Sequence, residues 1–464
     1  MPHTRPTSKL VRKSSARLGH AIPWPQLEPK SLAPHAKFVN RPADNRPMPC
    51  ICPQSDGPPD VIQRGPVVFL TIICIEHTGR TANLPLATVR GNPLPHGQTS
   101  LILSAMTKVL CDISALRYYR TPPRYLYALP PIPDFDTPYG RARLRQSPVA
   151  TGIIHIPIHA LSFGRDRLTS TLVKQHLWTK DMPAEAIVDT PFDVSVTSPL
   201  LTLLMLSTHL DPISTALLIY EFTGSFSFYS PNIKMDDAIY QSVIQSEFKR
   251  LDSWQCITDT QGKPSDLWTR PPLLEFDDIR YILNAGKGMR GRNQLAKAMR
   301  YVTGKVASPF EAKASILIGS PQRLGGLGLG GLKNNLEIKL DDSARRICGL
   351  KKAYGDIVWE ETPDHPMVIV ECQGEMVHDS RGRAQADDDR ALALESMGIE
   401  VIRISYKQIS DRARFELLAQ RLSNTLNTKL PSPTPRLARK QSEMRDALFR
   451  AWPYHENRPS GTNR

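Results

Sequence analysis

The segment YGDIVWEETPDHPMVIVECQ, residues 354–373, constrains the fold of this chain more than any other part of its sequence. Two apolar runs flank a Thr-Pro-Asp-His-Pro stretch, a pattern that predicts two strands joined by a turn. The midpoint between Asp356 and Glu371 falls inside that turn. A simple antiparallel hairpin therefore places the two carboxylates opposite each other, roughly 5 Å apart at Cβ, with Gln373 on the same face.

Like charges that face each other across two strands destabilise a sheet. An apolar hairpin that keeps two opposed acids therefore indicates a use for them, such as holding a divalent cation through oxygen ligands. A metal-dependent phosphodiesterase needs such a site for a divalent cation. The segment alone leaves a second interpretation equally open, in which two unrelated acids lie on a solvated face of the hairpin.

The sequence on both sides of the hairpin predicts further elements. Before it, SPFEAKASILIG predicts a helix with Ser308 as its cap and Pro309 at the first helical position, which places Glu311 in the first turn. After it come the helical stretch RGRAQADDDRALALESMG, the apolar strand IEVIRIS and a closing helix. The predicted order is helix, hairpin, helix, strand, helix.

With these residues in place, the stretch from about Val302 to Leu426 resembles the PD-(D/E)XK nuclease superfamily, and within it the very-short-patch-repair-like endonuclease domains. The sequence departs from the family pattern in two places. Gln373 stands where the superfamily has Lys and close relatives often have Asp, and the first strand lacks a Pro before Asp356. The resemblance implies an α/β (α+β) fold with a restriction-endonuclease-like core. The matching residues are Glu311, Asp356, Glu371 with Gly374 and His378, Asp387 with Arg390, and Gly398 with Val401 and Arg403.

The resemblance also implies a metal site. Asp356 and Glu371, with the carbonyl of Cys372 as a third ligand, would hold Mg²⁺ or Mn²⁺, which activates a water for attack on phosphorus. Glu311 would reach the same water shell from its helix. Gln373 would orient a water or lend a carbonyl oxygen, although an amide is neither a strong base nor a cation.

Three further residues are candidates for contacts with phosphate. Arg383, Asp387 and Arg390 recur at spacings of four and three and share one helix stripe, so both arginines are candidates to grip the phosphate beside the scissile bond. The alternative is a surface ion-pair ladder worth a few tenths of a kcal/mol per pair. His378, at the family's distance from Glu371, is a candidate general acid or hydrogen-bond donor to phosphate, and a merely exposed loop histidine is the alternative.

Composition and charge divide the chain into five predicted regions. The net charge is +14, and the two ends carry much of it: residues 1–60 contain nine Lys/Arg and four acids, and residues 428–464 contain eight and three. Basic, Pro-rich ends predict disorder and a salt-sensitive attraction to nucleic acid, with plain solubility as an equal alternative. The predicted regions are a basic tail (1–63), a mixed α/β accessory domain (64–197), a helical connector (198–301), the nuclease-like domain (302–427) and a second basic tail (428–464).

A looser resemblance covers the middle of the chain. SALRYYRTPP and SPLLTLLMLS, within Ser114 to Leu206, are similar to the middle part of AbiEi-like proteins, a group linked to abortive-infection toxin–antitoxin systems. This resemblance implies a partner protein of a toxin–antitoxin pair, and a homodimer is the other expectation, since two active sites are needed to break both DNA strands at once. Two functions are therefore expected: a Mg²⁺-dependent DNA endonuclease in DNA repair or phage defence, or a DNA-binding antitoxin or regulator that keeps a catalytically weak nuclease fold.

Cysteine usage and hydropathy predict the compartment. Seven scattered cysteines suit neither a disulfide framework nor a zinc site. The first thirty residues lack the apolar core of a signal peptide, and the longest apolar run, nine residues from Val67, is far shorter than the roughly 20 residues of a membrane span. The expected location is the cytoplasm, without membrane contact.

Overall fold

A computed structural model describes residues 108–163, 169–179, 182–183, 185–190, 192, 194–230, 253–259, 262–374, 381–432 and 434–455, with the backbone alone for 381–384. These residues all belong to one compact unit, Thr99–Arg464. The fold is mixed α/β, as predicted, with helices packed around two mixed sheets and one antiparallel sheet. The predicted tail 1–63, residues 64–107 of the accessory domain, and His378 lie outside the described residues.

A five-stranded mixed sheet organises residues 109–197. Its elements are β1 (Val109–Leu110), α1 (Asp112–Arg120), α2 (Pro123–Ala128), α3 (Pro138–Arg143), β2 (Ile158–Ser162), β3 (Val173–Leu177), β4 (Ile187–Asp189) and β5 (Ser195–Thr197). The strand order is β3-β2-β1-β5-β4, with β2 parallel to β3 and β1 parallel to β5. The short central strand β1 is fully buried, because it is covered on both sides by neighbouring strands and on its faces by apolar side chains.

The region predicted as a helical connector contains helices and a three-stranded antiparallel sheet. Its elements are α4 (Pro199–Leu206), α5 (Pro212–Thr223), β6 (Phe226–Phe228), β7 (Gln255–Thr258), β8 (Pro264–Thr269), α6 (Phe276–Ala285) and α7 (Arg292–Ala298). Ser198 and Asp211 cap α4 and α5 by accepting hydrogen bonds from backbone N–H groups of the first turn, and Pro occupies the first helical position in both. Helix α5 is rich in apolar residues and is buried almost all round, which is typical of a helix in the middle of a core.

A four-stranded sheet follows. Its elements are α8 (Pro309–Gly319), β9 (Lys333–Lys339), α9 (Asp342–Cys348), β10 (Lys352–Trp359), β11 (Val368–Gln373), α10 (Arg381–Ser396), β12 (Glu400–Ser405), α11 (Tyr406–Ser410) and α12 (Arg412–Thr425). The strand order is β12-β11-β10-β9; β10 is antiparallel to both neighbours, and β11 is parallel to β12. The predicted hairpin is present, with Ile357 opposite Val370 and Trp359 opposite Val368. Continued by one residue, this register sets Asp356 opposite Glu371.

The helical region and the four-stranded sheet share one hydrophobic core. Ile219 of α5, Ile316 of α8, Val370 of β11 and Leu422 of α12 are all fully buried in the same cluster of apolar side chains. Helix α5 packs against α8, which in turn packs against β10 and β11, so the helical region and the sheet bury apolar side chains in one core.

The prediction of a disordered tail over residues 428–464 is wrong for residues 435–455. Helix α13 (Pro435–Leu448) begins at a Thr434 cap, and Met444, Leu448 and Trp452 are buried in the shared core. The indole N–H of Trp452 donates to Glu221 Oε2 at 2.7 Å. The composition of this segment is basic on average, but its buried residues Met444, Leu448 and Trp452 are four positions apart and pack into the shared core.

Two further properties concern the helices and the cysteines. No helix within the described ranges is long and apolar enough to cross a membrane. The cysteines for which the structure gives a position, Cys111, Cys256, Cys348 and Cys372, are free thiols.

Candidate functional site

Three carboxylates from three elements line one cavity of about 240 Å³, which we call the acidic cavity. Glu311 lies in the first turn of α8, where its own N–H donates to the cap Ser308 Oγ at 3.2 Å. Asp356 lies on β10, and Glu371 lies on β11. The cap and the hairpin register thus bring together three acids that are separated by up to sixty residues in the chain, and all three were predicted site residues.

Each of these carboxylates has one defined anchor. Oε2 of Glu311 accepts the Ala307 N–H at 2.7 Å, and Oδ2 of Asp356 accepts the Cys372 N–H at 2.7 Å. Oε2 of Glu371 accepts from Arg390 Nη2 at 3.1 Å. The other oxygen of Glu371, Oε1, is buried and has no hydrogen-bond partner among the described residues. A buried carboxylate oxygen without a partner is energetically costly and indicates a missing ligand or water.

Burial raises the pKa values of all three acids, and repulsion by neighbouring carboxylates adds to the effect for Glu311 and Glu371. Burial raises the pKa of Glu311 to about 8, and the charges of Asp356 and Glu371 add to the effect. Burial, then the charge of Asp356, raises the pKa of Glu371 to about 7. Burial also raises the pKa of Asp356. Three carboxyl groups that repel one another in a partly dry cavity form a strong attractor for a cation, which would favour the ionised form of each.

Helix α10 contributes a cation to the rim of the acidic cavity. The side chain of Arg390 is about one-third exposed, and its Nη2 lies 3.1 Å from Glu371 and 3.8 Å from Asp387. Arg403 of β12 donates to Asp388 Oδ1 at 2.9 Å. Asp387 and Arg403 also line the cavity. Asp387 and Arg403 both match the family pattern, but neither was predicted to be a site residue.

Two of the remaining predicted site residues line the acidic cavity, and the side chains of the other two are not described. Gln373, the last residue of β11, is exposed and lines the cavity together with Cys372. Burial raises the pKa of the Cys372 thiol, which therefore stays neutral and leaves only backbone atoms as its polar contribution. Arg383 lies in α10, but its side chain is outside the description, and His378 is outside it altogether.

Comparison with known proteins identifies no relative. No protein-family model, no curated protein and no solved structure matches this chain.

Proposed function

We propose that this protein is a metal-dependent DNA endonuclease of the PD-(D/E)XK type. The observation that carries the proposal is the convergence of Glu311, Asp356 and Glu371 on one cavity, with Arg390 at its rim. A four-stranded mixed sheet with α8 and α10 beside it also supports a restriction-endonuclease-like core, because this arrangement presents the carboxylates of adjacent strands to one side.

The residues of the acidic cavity fit Mg²⁺ or Mn²⁺. Both ions prefer oxygen ligands, and the cavity offers carboxylates together with a buried Glu371 Oε1 that lacks a partner among the described residues. Asp356, Glu371 and the backbone carbonyl of Cys372 would hold the ion. When bound, it supplies a Lewis acid for the phosphoryl oxygen and lowers the pKa of a coordinated water.

The chain's own residues supply the other requirements of phosphodiester hydrolysis. Glu311 lines the cavity beside Asp356 and Glu371, and a bound cation would favour its ionised form, which can accept a proton from an attacking water. The planar guanidinium of Arg390 can hold two oxygens of a phosphate once it turns from Glu371. Gln373 offers an amide at the cavity mouth that orients water by hydrogen bonding.

The second candidate function is a DNA-binding antitoxin or regulator whose nuclease fold is catalytically weak. Gln373 favours it, since a neutral amide stabilises developing negative charge less than the Lys that the superfamily has at this position. The two functions make the same prediction for DNA binding and opposite predictions for strand cleavage.

Nicking of supercoiled plasmid, measured with a gel shift on the same samples, separates the two functions. The endonuclease proposal predicts nicking in Mg²⁺ or Mn²⁺, none in EDTA, and loss of nicking in Asp356→Asn, which keeps an acceptor for the Cys372 N–H. Asp364→Asn is a matched control, because Asp364 is an exposed acid in the hairpin turn. A shift without nicking in any metal supports the binding protein, and equal nicking by Asp356→Asn and the wild type contradicts the assigned site.

A further inference from the structure

A second polar cluster lies in the amino-terminal sheet and shares no residue with the acidic cavity. We call it the His–Asp cluster: Asp112, His159, His176 and His209. Asp112 is the first residue of α1, His159 lies on β2, His176 lies on β3, and His209 lies in the turn between α4 and α5. Four segments that are distant in the chain thus place one carboxylate and three imidazoles together.

The sheet register explains why two of the imidazoles meet. Strands β2 and β3 are parallel, with His159 opposite Lys174 and His176 opposite Leu161. Since side chains alternate between faces, His159 and His176 project from the same face, two residues out of step. The N–H of Cys111 donates to the His159 carbonyl at 2.9 Å, which ties the start of α1 to β2 and brings Asp112 over the pair.

The distances within the cluster are those of ligands around a small tetrahedral metal. His176 Nε2 and His159 Nδ1 are 3.1 Å apart, and each lies 3.5 Å from Asp112 Oδ2. Zinc bonds to nitrogen and oxygen of about 2.0–2.1 Å in a tetrahedron place neighbouring ligand atoms roughly 3.3 Å apart. His209 Nε2 lies 3.3 Å from the other oxygen of Asp112, Oδ1, and stands outside the three mutually close donors, Asp112, His159 and His176.

Burial makes the cluster difficult to explain as hydrogen bonding alone. Asp112 is 2% exposed and His159 is 7% exposed. Among the described residues, Oδ1 of Asp112 has no hydrogen-bond partner, although His209 Nε2 is near it. The two atoms are therefore close without the geometry of a hydrogen bond, and no described residue compensates the desolvation of this buried oxygen.

We propose that Asp112, His159 and His176 form a Zn²⁺ site. Two imidazoles beside one carboxylate favour zinc and its transition-metal neighbours over Mg²⁺, whereas the acidic cavity offers carboxylate oxygens. The ion would hold β2, β3 and the start of α1 together through these three ligands. His209, whose side chain is 39% exposed, leaves a route for the ion from solvent.

The site predicts one tightly held zinc ion per chain. Full-length protein from zinc-supplemented culture, dialysed and measured by elemental analysis, should retain one equivalent, and His159→Gln and His176→Gln should retain almost none. His365→Gln, in the hairpin turn, and Glu371→Gln, in the acidic cavity, should both keep it. Loss of the zinc in Glu371→Gln alone would place the ion in the acidic cavity and overturn the proposal.

Cobalt provides a test that does not depend on whether the variants fold. Wild-type protein stripped of metal and titrated with Co²⁺ should develop the visible absorption of tetrahedral cobalt with nitrogen and oxygen ligands, saturating at one equivalent and reversed by Zn²⁺. Folded wild-type protein that neither retains zinc nor develops this absorption would show that the cluster is a hydrogen-bonded Asp–His network.

Discussion

Replacing Glu311 by glutamine should make the stability of the metal-free protein less dependent on pH. The pKa of Glu311 is raised by burial, and by the charges of Asp356 and Glu371, to about 8 from 4.5. The folded chain therefore holds this proton more tightly than the unfolded chain does. Its contribution to stability is fully present below the unfolded pKa and is lost as the pH rises through the folded pKa of about 8.

The size of the effect follows from the two pKa values. A tenfold difference in proton affinity corresponds to about 1.4 kcal/mol. Between about pH 5 and about pH 8, the raised pKa of Glu311 should lower the free energy of unfolding by about 3 kcal/mol. Glu311→Gln keeps an acceptor for the Ala307 N–H and carries no charge, so this loss should be absent from the variant.

Urea unfolding in EDTA at both pH values measures the difference directly. The free energy of unfolding should fall more steeply with pH in the wild type than in Glu311→Gln, whereas Glu361→Gln, at an exposed turn position, should follow the wild type. Mg²⁺ added at the higher pH should restore part of the wild-type stability, because an ion that binds only the folded chain stabilises it. Parallel pH profiles for the wild type and Glu311→Gln would refute the assignment of Glu311 to a repulsive cluster.

Two further predictions concern the shared core and the cavity mouth. Glu221 is fully buried and accepts hydrogen bonds from Arg120 at 2.7 Å and from Trp452. Glu221→Ala should therefore destabilise the protein by about 3–5 kcal/mol, because it leaves Arg120 without its counterion. A melting temperature within error of the wild type would contradict this network. Gln373→Lys should raise the single-turnover cleavage rate by adding a positive charge near the phosphate, and Gln373→Ala should lower it with little change in DNA affinity. Equal rates for Gln373→Ala and the wild type would remove Gln373 from the site.

The hairpin and the helix that presents Glu311 were predictable because their signals are local. The register of β10 and β11 follows from two apolar runs and the turn between them, and the start of α8 follows from Ser308 and Pro309. These two signals are enough to set Asp356 opposite Glu371 and to place Glu311 in a first helical turn. Their mutual distance and burial were not predictable, since both depend on how α8 packs against the sheet.

Strand β9 and helix α13 were not predicted because long-range contacts define them. The sequence of β9, KNNLEIK, has little apolar alternation, and Asn334 is held instead by hydrogen bonds from its amide to Ser315 Oγ and the Asp356 carbonyl. Helix α13 has few apolar residues, and they become informative only beside the core that receives Trp452.

The His–Asp cluster was not predicted for the same reason, because only long-range contacts bring its residues together. Its four residues span positions 112 to 209, and no spacing between them resembles a metal-binding motif. Only the parallel register of β2 and β3 brings His159 and His176 onto one face.

Single-turnover cleavage of DNA by wild-type protein and Glu371→Gln, each at matched Mg²⁺ concentrations, tests the central claim most directly. Glu371 supplies the buried oxygen that lacks a partner among the described residues, and glutamine keeps its shape without its charge. We predict Mg²⁺-dependent cleavage by the wild type and by Asp364→Asn, and none above the EDTA background by Glu371→Gln. Cleavage by Glu371→Gln at the wild-type rate, or a wild type that cuts equally well in EDTA, would contradict a metal-dependent nuclease site in the acidic cavity.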